Sequence, residues 1–298
     1  MNDQPLGLTP DVVSELLVAQ FPDLAGCEVS RFSAGDDHWL FSVGNEWVAR
    51  FPQRAERVPW LVREIEIVSI AAEVLESRIP RFERVGEPTE KFPYPFVVYR
   101  RLPGVAADKT PINDFNGLAR DFGRLLGKLH RIDPLRIPPT PTNWAGHSWR
   151  LLRAELVAVA DVARPLLPPA LLVLAEPYLA GQVPEPIQDG PRRFIHNDIC
   201  PDHLIIDPDT GRLVGLIDFT DALVGDVVLD FVGLIGIGGY PFIREVAENY
   251  DLVLGERFEE ELLWLTRTLT LKWLAEAATN DSGDITKHLS WVKYAFNN

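Results

Sequence analysis

The chain has 298 residues, 46% of them hydrophobic and 24% charged, with a formal net charge of −14. That composition is ordinary for one large globular domain or two moderate ones, and the negative balance argues against a surface built to grip the polyanionic backbone of nucleic acid. No apolar run reaches the roughly eighteen residues that a membrane span needs, "MNDQPLGLTPDVV" lacks the basic-then-apolar order of a secretory signal, and two distant cysteines, Cys27 and Cys200, fit a reducing cytoplasm better than a disulfide framework.

In chain order, "EVSRFS", "HWLFSV" and "EWVARF" are β-rich runs separated by "AGDD" and "GN". They predict three antiparallel strands with tight turns. From Val58 to Ser77 the spacing becomes helical, with Leu61, Ile65, Val68, Ala72 and Leu75 on one face. "RFERVG" and "FVVYRRL" predict two further strands, and the Pro-Gly at 103–104 ends the pattern. Residues 1–101 are therefore expected to form a small antiparallel sheet with one helix. Residues 102–298 are expected to form a mainly helical second lobe, joined by a short hinge.

Asp114 is placed to cap a helix running to about Arg131. "IPPTPTN" is a loop, and helices are expected over 149–164, 168–181, 228–237, 241–254, 257–279 and 285–296. Two short strands, "HLIID" and "LVGLI", are joined by the turn "PDTGR". The fold class is α+β.

The chemistry concentrates in "FIHNDICPDHLIID", residues 194–207, and in "GLIDFTDALVGDVVLDF" shortly after it. Asp218 ends an apolar strand and His203 precedes the neighbouring one, so a hairpin would bring them near each other. Oxygen-rich sites with few protein ligands suit magnesium, which keeps waters and takes substrate phosphates. Zinc wants a closed nitrogen and sulfur set, and no second Cys or His pair follows the Cys-x-x-His spacing of Cys200 and His203. Cys200 reads instead as a small buried thiol.

A loop Asp, a ligand five residues on, a turn, and an Asp after an apolar strand form the order that phosphoryl transfer needs. Protein kinases use H-R-D-x-x-x-x-N and then D-F-G. This chain reads His196-Asn197-Asp198, His203, then Asp218-Phe219-Thr220. The competing reading is a β-hairpin with polar turns, which does not require Asp at both points.

These two stretches resemble the aminoglycoside phosphotransferase family, which has a two-lobed, protein-kinase-like fold. The resemblance is closest to the 2″-phosphotransferase branch, then to the macrolide phosphotransferases, and is strongest over 194–234. It implies that Asp198 is the catalytic carboxylate, that His203 and Asp218 hold Mg2+, and that His196 braces the loop. For Asp221 and Asp230, capping roles are as well supported as direct chemistry.

The resemblance also implies that "SAGDDHWLF" is the nucleotide-positioning loop, with Ser33 and Gly35 as its candidates. Arg50 stands where the family has a phosphate-binding Lys, with an ordinary strand-end cation as the alternative, and Glu64 is its helix partner. Glu66 is the rival, nearer solvent by helical spacing. "FVVYRRLPG" resembles the interlobe hinge. Tyr99 would gate the base pocket, and the backbones of Arg100 and Leu102 would read the purine of ATP or GTP. The Walker A pattern is absent from the sequence.

The expected acceptor is a hydroxyl of a small-molecule antibiotic, an aminoglycoside first. Glu245, Glu248, Asp251, Glu259, Glu260, Glu261, Glu276, Asp281 and Asp284 supply carboxylates, most of them on solvated helix faces. One departure is "IGIGGYPF" after "DFVGL", where the 2″-type enzymes are acidic. An apolar wall of Tyr240, Phe242, Trp264 and Trp273 would suit a macrolide, unless those rings are core. A metabolite kinase acting on a sugar or choline-like alcohol, and a non-catalytic nucleotide-binding relative, complete the alternatives. The expected protein is a cytoplasmic monomer with no membrane or nucleic-acid partner.

Overall fold

The computed structural model describes residues 8–34, 37–142, 148–279 and 283–297. The chain divides into two compact units. One contains the described residues of Met1–Pro103, Pro138–Trp144 and Gly215–Thr220; the other contains those of Gly104–Ile137, Ala145–Val214 and Asp221–Asn298. Both of the first unit's later stretches lie within 102–298, the range expected for the second lobe.

The first unit opens with α1 (Pro10–Gln20), an element the sequence reading did not name. Its start is chemically marked: the Thr9 hydroxyl accepts the Val12 N–H, and Pro10 needs no partner for the hydrogen it lacks. Five antiparallel strands follow: β1 (Val29–Ala34), β2 (His38–Val43), β3 (Trp47–Pro52), β4 (Arg84–Gly86) and β5 (Phe96–Arg100), in the order β1-β2-β3-β5-β4. A bulge interrupts the β1–β2 register between Arg31 and Ser33.

Alternation sends Phe41, Phe51 and Phe96 to one face, where they meet Phe92. The Phe51 and Phe96 rings stack with centroids 4.5 Å apart, and Phe92 meets Phe51 edge-on at 5.2 Å. Burying each ring contributes about 1.5–3 kcal/mol. The helix α2 (Val58–Leu75) buries Leu61, Glu64, Val68, Ala71, Ala72 and Leu75 along one stripe. Glu64 is the one carboxylate in that stripe.

In the second unit, α3 (Phe115–Leu129) starts as its sequence predicts, with the Asp114 carboxylate accepting the Gly117 N–H at 2.8 Å. The remaining helices are α4 (Trp149–Ala163), α5 (Pro169–Leu179), α6 (Leu229–Val232), α7 (Ile235–Glu248), α8 (Phe258–Thr279) and α9 (Ile285–Phe296). α4, α5, α8 and α9 share one apolar core built on Leu156, Leu179, Leu271, Leu274 and Val292. α7 breaks at Gly238–Gly239, where Gly239 has φ 68°, a conformation glycine adopts without a Cβ penalty. The sequence had put a helix boundary at this point.

Short strands frame the polar stretch. β7 (Arg192–Ile195) leads into it and pairs antiparallel with β10 (Leu223–Asp226). β8 (Leu204–Ile206) leads out, in a sheet of order β6-β8-β9 with β6 (Val105–Ala106) and β9 (Leu213–Leu216). Neither β7 nor β10 was expected; they pair across a long stretch of sequence, and no hairpin turn announces them.

The loop between β7 and β8 is held close to α6. A Cβ on Gly233 would lie 1.5 Å from the Ile199 carbonyl oxygen. Gly233→Ala must therefore move backbone, and it is expected to cost about 1–3 kcal/mol or more. Chemical denaturation reads this directly, and an unchanged midpoint would contradict the close approach.

Candidate active site

In the first unit the structure gathers Arg50, Glu64, His38, Asp218 and Thr220. Arg50 stands on β3, Glu64 on α2 and His38 at the start of β2. Arg50 Nη1 donates to Glu64 Oε1 at 2.9 Å. Its Nη2 lies 2.8 Å from Thr220 Oγ1, 3.1 Å from His38 Nδ1 and 3.3 Å from Asp218 Oδ1. Glu64 also accepts the Phe219 N–H at 3.1 Å and the Thr220 hydroxyl at 3.0 Å. A planar guanidinium with a fork of donors can serve this many acceptors, whereas a lysine ammonium is a single point.

Burial pushes the Glu64 carboxyl up to about 7 even though Arg50 pulls it down. Glu66 is exposed, so the structure separates the two candidates as helical spacing predicts. Asp218 has φ 65°, a left-handed backbone that Asp tolerates better than most residues. Arg63 ties α2 to two other segments, with Nε donating to the Pro138 and Pro139 carbonyls and Nη1 lying 3.5 Å from the Thr220 carbonyl beside Asp218.

His38 is 4% exposed. Burial first, then the Arg50 charge, pulls its imidazole down to about 3. The ring is therefore neutral near pH 7, Nδ1 accepts from Arg50, and Nε2 carries the hydrogen. Among the described residues Nε2 has no acceptor. A histidine depressed in the folded state adds stability above its unfolded value near 6.5, and that contribution is lost as pH falls toward 3. The stability advantage of the parent over His38→Asn is expected to shrink as pH drops below about 6.5. Denaturation midpoints at several pH values test this, and a constant difference would contradict it.

The second unit carries the loop 196–203. Asp198 stands at its tip with 47% of its side chain exposed. The loop is fixed from beneath by Asp230, which is fully buried. Asp230 Oδ2 accepts the His196 N–H at 2.8 Å, and Oδ1 accepts the Asn197 N–H at 2.7 Å. His130 donates from Nε2 to Asp230 at 3.0 Å and receives the Tyr250 hydroxyl at Nδ1, 2.9 Å away. Burial raises the Tyr250 phenol, which keeps it a donor. Asn197, at φ 65°, turns the chain sharply, and the His196 ring accepts the Asp198 N–H at 3.3 Å.

His203 Nδ1 lies 2.8 Å from the Asp198 backbone carbonyl. A nitrogen facing a carbonyl must carry the hydrogen, so the lone pair sits on Nε2, the form in which an imidazole ligates a cation. The Asp218 carboxylate of the first unit and the His203 imidazole of the second are each donor types that a divalent cation accepts. Asp198, Cys200 and His203 also bring ligand-type atoms within 4.8 Å of one another. Burial pushes the Cys200 thiol well up, however, which keeps it protonated and a poor ligand for soft metals.

The remaining expectations divide. Tyr99 lies within β5, half-buried, 5.4 Å ring to ring from Phe82, and burial pushes its phenol up to about 12. Arg100 is exposed, bonded to Glu46 at 2.6 Å, and Leu102 is half-buried. Ser33 lies in β1, while Gly35 and Asp281 fall outside the described residues. Tyr240, Phe242 and Trp264 are each 4% exposed and belong to the core, so they form no acceptor wall. Glu261 is buried and accepts the Asp189 N–H at 3.0 Å, bracing a loop.

The sequence reading missed His38, Thr220, Arg63, His130 and Tyr250. For His38 a signal was present. Leu40 pairs with Arg50 across β2 and β3, and His38 shares the Leu40 face by period-2 alternation, diagonal to Arg50. Nothing in sequence links His130 to an aspartate a hundred positions later.

This assembly of a five-stranded sheet unit, an Arg–Glu pair and an Asp-bearing loop is that of a kinase-like phosphotransferase. The model of the phosphotransferase enzyme family matches residues 28–264, and the chain belongs to that family. The fold is shared with the GDP complex of wild-type aminoglycoside 2′-phosphotransferase-IIIa, 21% identical over 97% of this chain and 98% of that one, with a TM-score of 0.73. It is shared too with the macrolide 2′-phosphotransferase MphH from Brachybacterium faecium, at 18% identity, 97% of each chain and a TM-score of 0.62. The uncharacterized protein YcbJ of Bacillus subtilis (strain 168) is 26% identical over 220 residues, 70% of this chain and 69% of that protein. Among the described residues, no helix is long and apolar enough to cross a membrane.

Proposed function

We propose that the protein transfers the γ-phosphate of ATP or GTP to a hydroxyl group of a small molecule. The observation that supports this most is the Asp198 loop: an exposed carboxylate whose backbone is fixed by a buried aspartate. Asp198 takes or orients the hydroxyl proton. The acceptor oxygen forms the new bond to phosphorus as the bond to the bridging oxygen breaks, leaving a nucleoside diphosphate. Arg50 binds phosphate oxygens, held at the required angle by Glu64, His38 and Thr220. Magnesium bound through His203 and Asp218 would neutralise charge on the terminal phosphates. Transfer of this kind depends on positioning and on electrostatics prepared in advance.

The hinge reading of Tyr99, Arg100 and Leu102 and the phosphate role of Ser33 and Gly35 belong to the same proposal. An aminoglycoside is the first acceptor to test. The net charge of −14 favours a cation, and a fold neighbour is described in complex with GDP and kanamycin. The macrolide reading loses three of the four rings of its aromatic wall to the core, while Trp273 is half-buried. Purified protein given ATP or GTP with a panel of aminoglycosides, macrolides, sugars and choline tests the reading, with mass spectrometry of the acceptors. Gain of one phosphoryl group by an acceptor, absent with Asp198→Asn, is the expected result. Equal transfer by the variant would overturn the assignment.

A further inference from the structure

His38 presents one polar atom that the cluster around Arg50 does not use. A guanidinium carries only donors, so the 3.1 Å contact from Arg50 Nη2 makes His38 Nδ1 the acceptor and puts the ring's hydrogen on Nε2. That N–H has no acceptor among the described residues, and it is screened from solvent as well. A buried donor without a partner is costly and uncommon, and beside functional groups it points to an acceptor that arrives with a bound molecule.

The charges around the ring select the kind of acceptor. Arg50 and Arg57 both act on it as positive charges, against the single carboxylate of Asp218. A net positive surrounding of an N–H donor favours an anionic oxygen over a neutral one. The arginines themselves are heavily engaged. Arg50 Nη1 serves Glu64, and the two hydrogens of Nη2 are divided among Thr220, His38 and Asp218. Arg57 Nε lies 2.7 Å from Asp37. The His38 N–H carries no such protein claim.

We propose that His38 is a second phosphate-binding side chain, whose Nε2–H donates to a non-bridging oxygen of the nucleotide's triphosphate while Nδ1 keeps Arg50 in register beside it. This goes beyond the ring's part in fixing Arg50, and it rests on the phosphotransferase reading. His38 lies in "SAGDDHWLF", the stretch that the resemblance assigns to nucleotide positioning. Seating phosphate there requires the atoms that cover Nε2 to give way.

Two substitutions separate the two ring nitrogens. An asparagine oxygen reaches the Nδ1 position, so His38→Asn keeps the acceptor for Arg50 and loses the distal N–H. A glutamine amide reaches the Nε2 position, so His38→Gln keeps the distal donor. Calorimetry with inorganic tripolyphosphate, non-hydrolysable ATP and GTP analogues, adenosine and guanosine reads the difference. Tripolyphosphate and the analogues are expected to bind His38→Asn about tenfold more weakly than the parent and His38→Gln within about threefold of it, with the nucleosides unchanged throughout. Parent-level binding of tripolyphosphate by His38→Asn, or a smaller loss in His38→Asn than in His38→Gln, would overturn the proposal and leave the phosphotransferase reading standing. A parent that binds neither tripolyphosphate nor the analogues would overturn both. If a variant fails to fold, the parent labelled with 15N-histidine gives the answer: the His38 Nε2 resonance shifts on addition of tripolyphosphate, and an unmoved resonance would overturn the contact.

Discussion

Asp198→Asn is expected to lower turnover by about 10²–10⁴-fold, the range a positioned general base supplies, and to leave nucleotide affinity unchanged. The structure explains why the two effects separate. The Asp198 backbone carbonyl, not its carboxylate, makes the short bond to His203, at 2.8 Å against 3.5 Å. The loop is held by Asp230 through the amides of His196 and Asn197. Replacing one carboxylate oxygen with an amide nitrogen thus removes the proton acceptor and leaves the scaffold standing. Single-turnover assays with separate nucleotide titrations read both quantities. Turnover within about tenfold of the parent would show that another group does this work.

Asp230→Asn is expected to produce the largest loss of stability, about 3–5 kcal/mol. Asp230 accepts three hydrogen bonds while fully buried. An asparagine has one oxygen, so its NH2 group must face a donor and at least one buried amide or imidazole loses its partner. The φ of 65° at Asn197 is then no longer secured from both sides. Turnover should fall as well, even where the variant is fully folded. Tyr250→Phe removes only the outermost member of the chain and should cost about 1 kcal/mol. Equilibrium denaturation of both variants, with kinetics below their melting temperatures, tests this ordering. A loss below about 1 kcal/mol for Asp230→Asn, with turnover unchanged, would contradict it.

The legibility of this chain follows the range of the interaction concerned. β1, β2, β3, β5 and α2 were readable because alternation and 3.6-residue periodicity are local and each element is long enough to show its period; β4, β8 and β9 are shorter and were readable from the turn residues beside them. The start of α3 was readable from one capping aspartate. β6, β7 and β10 were not, because their pairing partners lie far away in sequence and no turn signal links them to a neighbouring strand. The polar stretch around Asp198 was conspicuous because carboxylates and imidazoles between apolar runs have no packing explanation. The scaffold behind it was hidden. His130 and Tyr250 look like ordinary residues at a helix end and a helix exit, and only the fold brings them to Asp230. The aromatic wall failed for the opposite reason: Tyr240, Phe242 and Trp264 satisfy the local pattern of a core equally well, and the core is where they sit.

The most direct measurement concerns the metal. Manganese binding in the presence of a non-hydrolysable nucleotide, followed by electron paramagnetic resonance, reports the ion without requiring turnover. The account predicts that His203→Ala and Asp218→Asn each weaken nucleotide-dependent manganese binding by about tenfold or more, while Cys200→Ser leaves it unchanged. Manganese binding by both His203→Ala and Asp218→Asn that matches the parent would contradict the claim that these two side chains serve one ion beside the transferred phosphate.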